Sequence, residues 1–283
     1  MITSRTAFDA AAVGRHYDGL DRFYREVWGE HVHHGLWTTG RETPEAAAEA
    51  LTALVADAAR VGAGDRVCDV GCGYGATARW LAAYRRARVT GLTLSEAQAR
   101  YAFRQPVPEG SPPPEILVRD WLDNGLPDGH FDAVVAIEST THMPERARVF
   151  REMARVLTPG GRLVACIWMA GERPKAWEVR HLLEPICREG RLAGLGSAAE
   201  NRAWIEGAGL VVEREEDLSA RVARTWTVCL RRVGGRLLRD RRYRRFLLDA
   251  TEGDRVFALT LLRLRLAYAT GALRYGVWVA RKG

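Results

Sequence analysis

Residues 67–75, Val-Cys-Asp-Val-Gly-Cys-Gly-Tyr-Gly, combine the residue types that a ligand-binding loop needs. Apolar positions and the acid Asp69 run straight into Gly71, Gly73 and Gly75, and each missing Cβ opens room for a ligand to approach the backbone. A second constellation lies at Ile137-Glu138-Ser139-Thr140-Thr141-His142-Met143-Pro144. His142 titrates near neutral pH and can take a proton from a hydroxyl, while Glu138 can orient it or stabilise its charge. His142 reads equally as a structural histidine bonded to the next helix start, and Glu138 as an acid that fixes a loop. His31, His33 and His34 imitate a metal cluster. Neighbouring His33 and His34 seldom point to one centre, and no carboxylate run completes a metal site, so they read as cap or pocket residues and no metal is expected.

These groups need strand ends to hold them. Arg66–Val70 predicts a buried strand, and a helix over Ala76–Tyr84 turns its free N–H groups toward the glycine loop. Strand Arg88–Leu92, helix Ser95–Phe103, strand Glu115–Val118 and strand Phe131–Ile137 follow. Then come helix Glu145–Leu157, a turn at Thr158-Pro159-Gly160-Gly161 and strand Arg162–Trp168. Repeated strand–helix order predicts an α/β fold, a Rossmann-like doubly wound sheet covered on both faces. Ahead of it, residues 7–40 read as a helical cap, and Thr43-Pro44-Glu45 starts a helix that Gly62 ends. After Met169 the pattern loosens. Residues 171–196 and 218–270 read as helical insertions around helix Ala198–Gly207 and strand Leu210–Glu215, before a last strand at Arg274–Ala280. The expected division is a cap at 1–43, a core at 44–170, and the rest of the core with its two insertions at 171–283.

Composition narrows the class. A chain of 283 residues with 47% hydrophobic and 27% charged residues can bury a full core. No apolar run approaches membrane-spanning length, and residues 1–15 lack a signal-peptide core, so a cytoplasmic protein is expected. The net charge of +7 invites a nucleic-acid reading. Yet lysine occurs only at Lys175 and Lys282, an imbalance toward arginine that matches codon bias in a GC-rich genome better than selection for phosphate contacts. The five cysteines form no C-x-x-C pair and read as free, buried thiols.

The glycine loop does not meet the dinucleotide fingerprint G-x-G-x-x-G, because residue 76 is Ala, and no G-K-[ST] phosphate loop is present. It resembles motif I of the class I S-adenosylmethionine (SAM) methyltransferases. Three further stretches are similar to the γ-tocopherol-methyltransferase-like, small-molecule branch: Trp-Gly-Glu-His-Val-His-His-Gly at 28–35, Glu-Ser-x-x-His-Met-Pro at 138–144, and Leu-Ala-Tyr-Ala-Thr-Gly-Ala-Leu-Arg-Tyr-Gly at 266–276. The resemblance spans the chain and implies a seven-stranded sheet whose last strand is antiparallel. It also implies SAM as cofactor. Asp69, Gly71, Cys72 and Gly73 would hold its amino-acid end, Thr93 and Gln98 the ribose, and Asp120 and Trp121 the adenine. Gln98 has an alternative as half of a capping box with Ser95. Tyr17 and Trp37 are candidates to cover the sulfonium, and Glu138 to sit on the cofactor side.

The reaction so implied is in-line transfer of a methyl group to a hydroxyl of a small secondary-metabolite intermediate. His142 would be base, and His33, His34, Ser139 and Tyr268 would face the acceptor. Nitrogen or carbon acceptors, a nucleic-acid substrate and a silent SAM-binding protein are the alternatives. The arginine run from Arg231 to Arg245 reads as a solvated helix face, with anion capture as its functional alternative. A small-molecule acceptor, a possible homodimer, no nucleic acid and no membrane span complete the expectations.

Overall fold

The computed structural model describes residues 1–3, 10–248 and 257–283. Helix α1 (Ala10–Val27) is followed by a loop to α2 (Pro44–Ala58). Thr43 caps α2 by accepting from the Ala46 N–H, and Pro44 takes the first turn, where no N–H is needed. The helix stops before Gly62. Arg60 makes the left-handed turn at φ +55, and the Gly62 N–H instead donates to the Asp65 carboxylate at 2.7 Å.

The core then alternates through β1 (Arg66–Val70), α3 (Ala76–Arg85), β2 (Arg88–Thr93), α4 (Glu96–Arg104), β3 (Glu115–Val118), β4 (Phe131–Ile137), α5 (Arg146–Val156) and β5 (Leu157–Ala170). The Thr158–Gly161 stretch is a bulge inside β5 and not a separate turn. Leu157 pairs with Phe131, while Arg162 pairs with Ala133 after a register shift. Helices α6 (Ala176–Glu178) and α7 (Glu184–Glu189), joined by a π-helical turn at Val179–Leu183, form the first insertion. Helix α8 (Ala198–Gly207) and β6 (Leu210–Asp217) return to the core. The second insertion holds α9 (Ser219–Val222), α10 (Arg224–Arg239), α11 (Arg241–Leu248) and α12 (Phe257–Thr270), and β7 (Leu273–Lys282) closes the sheet. Residues 249–256 of that insertion and 7–9 of the expected cap lie outside the described residues.

The seven strands run in the order β3-β2-β1-β4-β5-β7-β6, with β7 antiparallel to β5 and β6. Chain order reverses direction between β1 and β4, so the crevice beyond their carboxyl ends is where a ligand belongs. Alternation along each strand divides the core between the two faces. Val67, Val89, Val135 and Val164 pack with Leu51 and Val55 of α2 and Leu81 of α3. Cys68, Val134 and Leu163 pack with Val149, Phe150 and Met153 of α5. A side chain of this kind contributes roughly 1.5–3 kcal/mol when fully buried. The insertions build a separate core from Leu182, Leu183 and Ile186, Trp226 and Cys229, and Leu261 and Leu264. All five cysteines are buried and unpaired, as expected. No helix among the described residues is long and apolar enough to cross a membrane.

Candidate functional site

The loop after β1 is locked from one side and open on the other. Gly71 and Gly73 both take left-handed angles, φ +78 and +53. A Cβ on Gly71 would strike the Ser139 side chain, whose hydroxyl donates to the Val70 carbonyl. At Gly73 an added Cβ meets only Gln98 Nε2, at 3.9 Å, within 4 Å. The residues of the two loops therefore wall one cavity, joined by Thr93, Gln98, Asp120, Trp121, Glu138, Ser139, Tyr17 and His142.

Local chemistry fixes these walls. The Thr93 hydroxyl donates to Gln98 Oε1 at 2.8 Å, so Gln98 turns toward β2 and does not complete a capping box with Ser95. Ser95 still caps α4 by accepting from the Gln98 N–H at 3.1 Å. Asp120 accepts from the Leu122 N–H at 2.9 Å and caps the 3₁₀ turn Trp121–Asp123. Trp121 is buried in the core with its indole N–H on the Val149 carbonyl, which makes it a fixed wall. Helix α1 covers this cavity. Asp18 accepts from the Ser95 hydroxyl at 2.5 Å and from the Ala97 N–H at 3.0 Å, tying α1 to the start of α4.

Asp69, Cys72 and His33 line a smaller recess beside the same glycines. Asp69 is buried, and its Oδ2 has no hydrogen-bond partner. Burial pushes its carboxyl up to about 7. An orphaned buried carboxylate oxygen at a ligand recess calls for a donor, and a cationic one suits it best. Cys68 and Cys72 are pushed far up by burial and hold neutral thiols. His31 Nδ1 and His33 Nε2 lie 3.1 Å apart, and burial drives both pKa values down. No group of three or more potential metal ligands occurs among the described residues.

A second cavity adjoins the first and shares Tyr17, Val32, Glu138 and His142 with it. Its own walls come from α1 (Tyr24), the following loop (Trp28), β5 (Trp168), α7 (Ile186, Glu189), α10 (Trp226) and α12 (Thr260, Leu264). At the shared neck, Tyr17 Oη stands 3.0 Å from His142 Nε2. His142 Nδ1 lies 3.2 Å from the Arg191 carbonyl, which can only accept, so Nδ1 carries the proton and Nε2 receives the Tyr17 hydroxyl. Burial lowers His142 to about 4 against the opposing pull of that carbonyl, so the imidazole is neutral. Tyr17 is raised by burial and by Glu138 and stays protonated.

Glu138 is held ionised. Its Oε1 accepts from the His34 N–H at 2.7 Å, from His34 Nδ1 at 3.0 Å and from the Tyr275 hydroxyl at 2.8 Å. Its Oε2 accepts from the Trp168 indole at 2.8 Å. Burial alone would raise this carboxyl, but His34 and the hydrogen bonds bring it down to about 2. Its backbone is left-handed at φ +62, and Arg191, behind His142, is left-handed at φ +54. Each such conformation costs on the order of 1–3 kcal/mol, and here the surrounding bonds maintain it.

Trp37, His34 and Tyr268 line neither cavity. The Trp37 indole donates to the Thr225 hydroxyl at 3.1 Å and its ring packs under Arg224. Tyr268 Oη reaches His34 Nε2 at 3.1 Å, so the two stand behind Glu138. Ser139 faces the first cavity and not the second. Sequence reasoning missed Asp18, Trp168, Tyr275, Tyr24, Trp28, Trp226 and Glu189. The indole pair Trp168 and Trp226, on a core strand and in an arginine-rich insertion, carried no motif. Asp18 left no signal, since it lies in the middle of α1 and only the fold brings it to the start of α4.

Residues 68–165 match the Methyltransferase domain family. The chain is 33% identical over 272 residues, 95% of its length and 96% of the relative's, to 27-O-demethylrifamycin SV methyltransferase of Amycolatopsis mediterranei. It is 30% identical over 238 residues to chloroplastic tocopherol O-methyltransferase of Arabidopsis thaliana, covering 77% of this chain and 68% of that one. Among solved structures, the cyclase SpnF superposes with a TM-score of 0.79 at 25% identity, covering 100% of this chain and 99% of that one. The Mycobacterium tuberculosis cyclopropane synthase MmaA2 gives 0.84 at 19% identity, covering 99% and 100%, a likeness of fold. The first cavity and the recess beside its glycines together fit SAM on their own chemistry, with an orphaned acid in the recess for an ammonium group and glycines where side chains would fill the space. Fold, cavity and relatives, one of them matched over nearly its full length, agree, and the chain belongs to the class I SAM-dependent methyltransferases, in the tocopherol-methyltransferase-like branch that acts on small molecules.

Proposed function

We propose that this enzyme transfers the methyl group of SAM to a hydroxyl of a small secondary-metabolite intermediate. The observation that carries the reading is the Tyr17–His142 pair at the neck between the two cavities, where a methyl group would cross. An alcohol or phenol must lose its proton as the new bond forms, and a neutral imidazole with its Nε2 lone pair directed inward is a suitable recipient. The acceptor hydroxyl reaches that lone pair in place of the Tyr17 hydroxyl or through it. SAM supplies an already activated methyl group. The protein's share is alignment and exclusion of water, which the helices over both cavities provide.

Within the site, Asp69 and the recess would hold the ammonium of the cofactor, Thr93 and Gln98 its ribose, and Asp120 and Trp121 its adenine. Glu138 serves as a positioning carboxylate, since its acceptor capacity is engaged by four donors. The full-length relative named for an O-demethyl antibiotic precursor supports an oxygen acceptor in natural-product biosynthesis. The test is incubation with methyl-labelled SAM and a panel of hydroxylated polyketide and phenolic intermediates. Labelled methyl ether, abolished in His142→Ala, is the expected product. Label on carbon or nitrogen would replace the reading.

A further inference from the structure

The second cavity is an aromatic chamber with an acid at its wall. Its rings form a continuous chain: Tyr17 to Tyr24 at 5.1 Å, Tyr24 to Trp28 at 5.7 Å, Trp28 to Trp226 at 5.8 Å, and Trp226 to Trp168 at 5.4 Å. Trp226 stands nearly perpendicular to both other indoles, at 76° and 87°, so the chamber is faceted rather than a flat slot. Only Tyr17 of these rings also lines the cofactor cavity. The tryptophans therefore lie beyond the neck and are not explained by the sulfonium.

Two carboxylates, Glu138 and Glu189, line the chamber, and no lysine or arginine does among the described residues. Glu189 is nearly buried and already neutralised: the Thr260 hydroxyl and Arg263 hold it from α12, with the Arg263 nitrogen 2.5 Å from Oε2, and an Arg188 nitrogen lies 3.4 Å from Oε1. The ionised Glu138 at the neck and the aromatic faces disfavour an anion and favour a cation. Aromatic faces attract a cation by about 0.5–2 kcal/mol and more as water is removed.

We propose that the acceptor is a cation, carrying a protonated or quaternary amine that sits among Trp28, Trp168 and Trp226, opposite the hydroxyl to be methylated. The position of that hydroxyl rests on the oxygen-acceptor reading above; the cation site does not. It also sets the acceptor class apart from diphosphates and carboxylates.

The experiment compares three small alcohols of similar size by calorimetry on the full chain loaded with S-adenosylhomocysteine: choline, its neutral isostere 3,3-dimethyl-1-butanol, and the anion isethionate. Choline is expected to bind about tenfold or more tightly than the neutral alcohol, with isethionate weakest. Trp28→Leu and Trp226→Phe should each reduce the choline preference several-fold, neither touching the ion pairs of Glu189. Equal affinities, undetectable choline binding, tighter isethionate, or a preference unchanged in both variants would overturn the proposal. Because no methyl transfer is read, its failure is distinct from failure of the oxygen-acceptor reading, which the labelled-product assay decides.

Discussion

The two cavities meet at one neck but are built in opposite ways. The donor side is made of strand ends and backbone: glycines at φ +78 and +53, a hydroxyl–amide pair joining β2 to α4, and an acid capping a turn. Beyond the neck, the acceptor side is made of large side chains from α1 and the loop after it, β5, α7, α10 and α12, segments distant in sequence of which only Trp28 falls in a motif. A cofactor of fixed structure can be met by a short contiguous loop. A variable acceptor is met by insertions that exchange side chains without disturbing the sheet.

Substitutions should therefore separate the two sides. The largest effect is expected from Gly73→Val, which places a branched side chain at positive φ into the donor cavity. S-adenosylhomocysteine affinity should fall at least about 100-fold by calorimetry, roughly 2.7 kcal/mol, and retained affinity would remove the loop from the cofactor site. Next, His142→Ala should lower turnover about 10²–10³-fold while S-adenosylhomocysteine binding is unchanged, the pattern of a neck residue. If cofactor affinity fell equally, His142 would belong to the donor side alone.

A smaller effect concerns pH. The Asp69 carboxyl, raised to about 7 in the free protein, should ionise when it meets the ammonium group. Below pH 7 donor binding should release a proton, and affinity should rise as pH increases toward 7, then level off. Calorimetry in buffers of different ionisation heat reads this directly, and no proton release at pH 6 would contradict the assignment. His142, lowered to about 4, needs no deprotonation at neutral pH, so it should add no limb to the turnover profile between pH 6 and 8. The smallest effect should come from reversing charge at Arg241, Arg244 and Arg245 on α11. These side chains are exposed and line neither cavity, so acceptor KM should not move. A raised KM would restore anion capture.

What was legible in the sequence follows the same divide. The sheet was readable because apolar runs and glycine turns are local, and Asp69, Gly71, Gly73, Thr93 and Asp120 could be found at strand ends. The errors on that side were small and local: Gly62 does not stop α2 because Arg60 turns first, and the Pro-Gly-Gly stretch bends β5 without ending it. On the acceptor side, composition showed many tryptophans but not which would converge. Trp37 was the ring expected over the sulfonium, yet it bonds Thr225 and packs under Arg224, while Trp28, given no role from the sequence, lines the chamber. His34 and Tyr268 were singled out by motif, and their side chains are spent on Glu138 and on each other. Such choices depend on long-range packing, which no periodicity encodes.

The Asp18 link between α1 and α4 bears on timing. The Asp18 carboxylate sits at the positive end of α4, where it accepts from the Ser95 hydroxyl and the Ala97 N–H, while Ser95 itself caps the helix. Lifting α1 from the cavity then carries a cost of roughly 1.5–3 kcal/mol for each hydrogen bond to that carboxylate, in addition to the other contacts of α1. Because α1 lines the first cavity, turnover limited by movement of this helix should show a viscosity dependence separate from the chemistry at the neck.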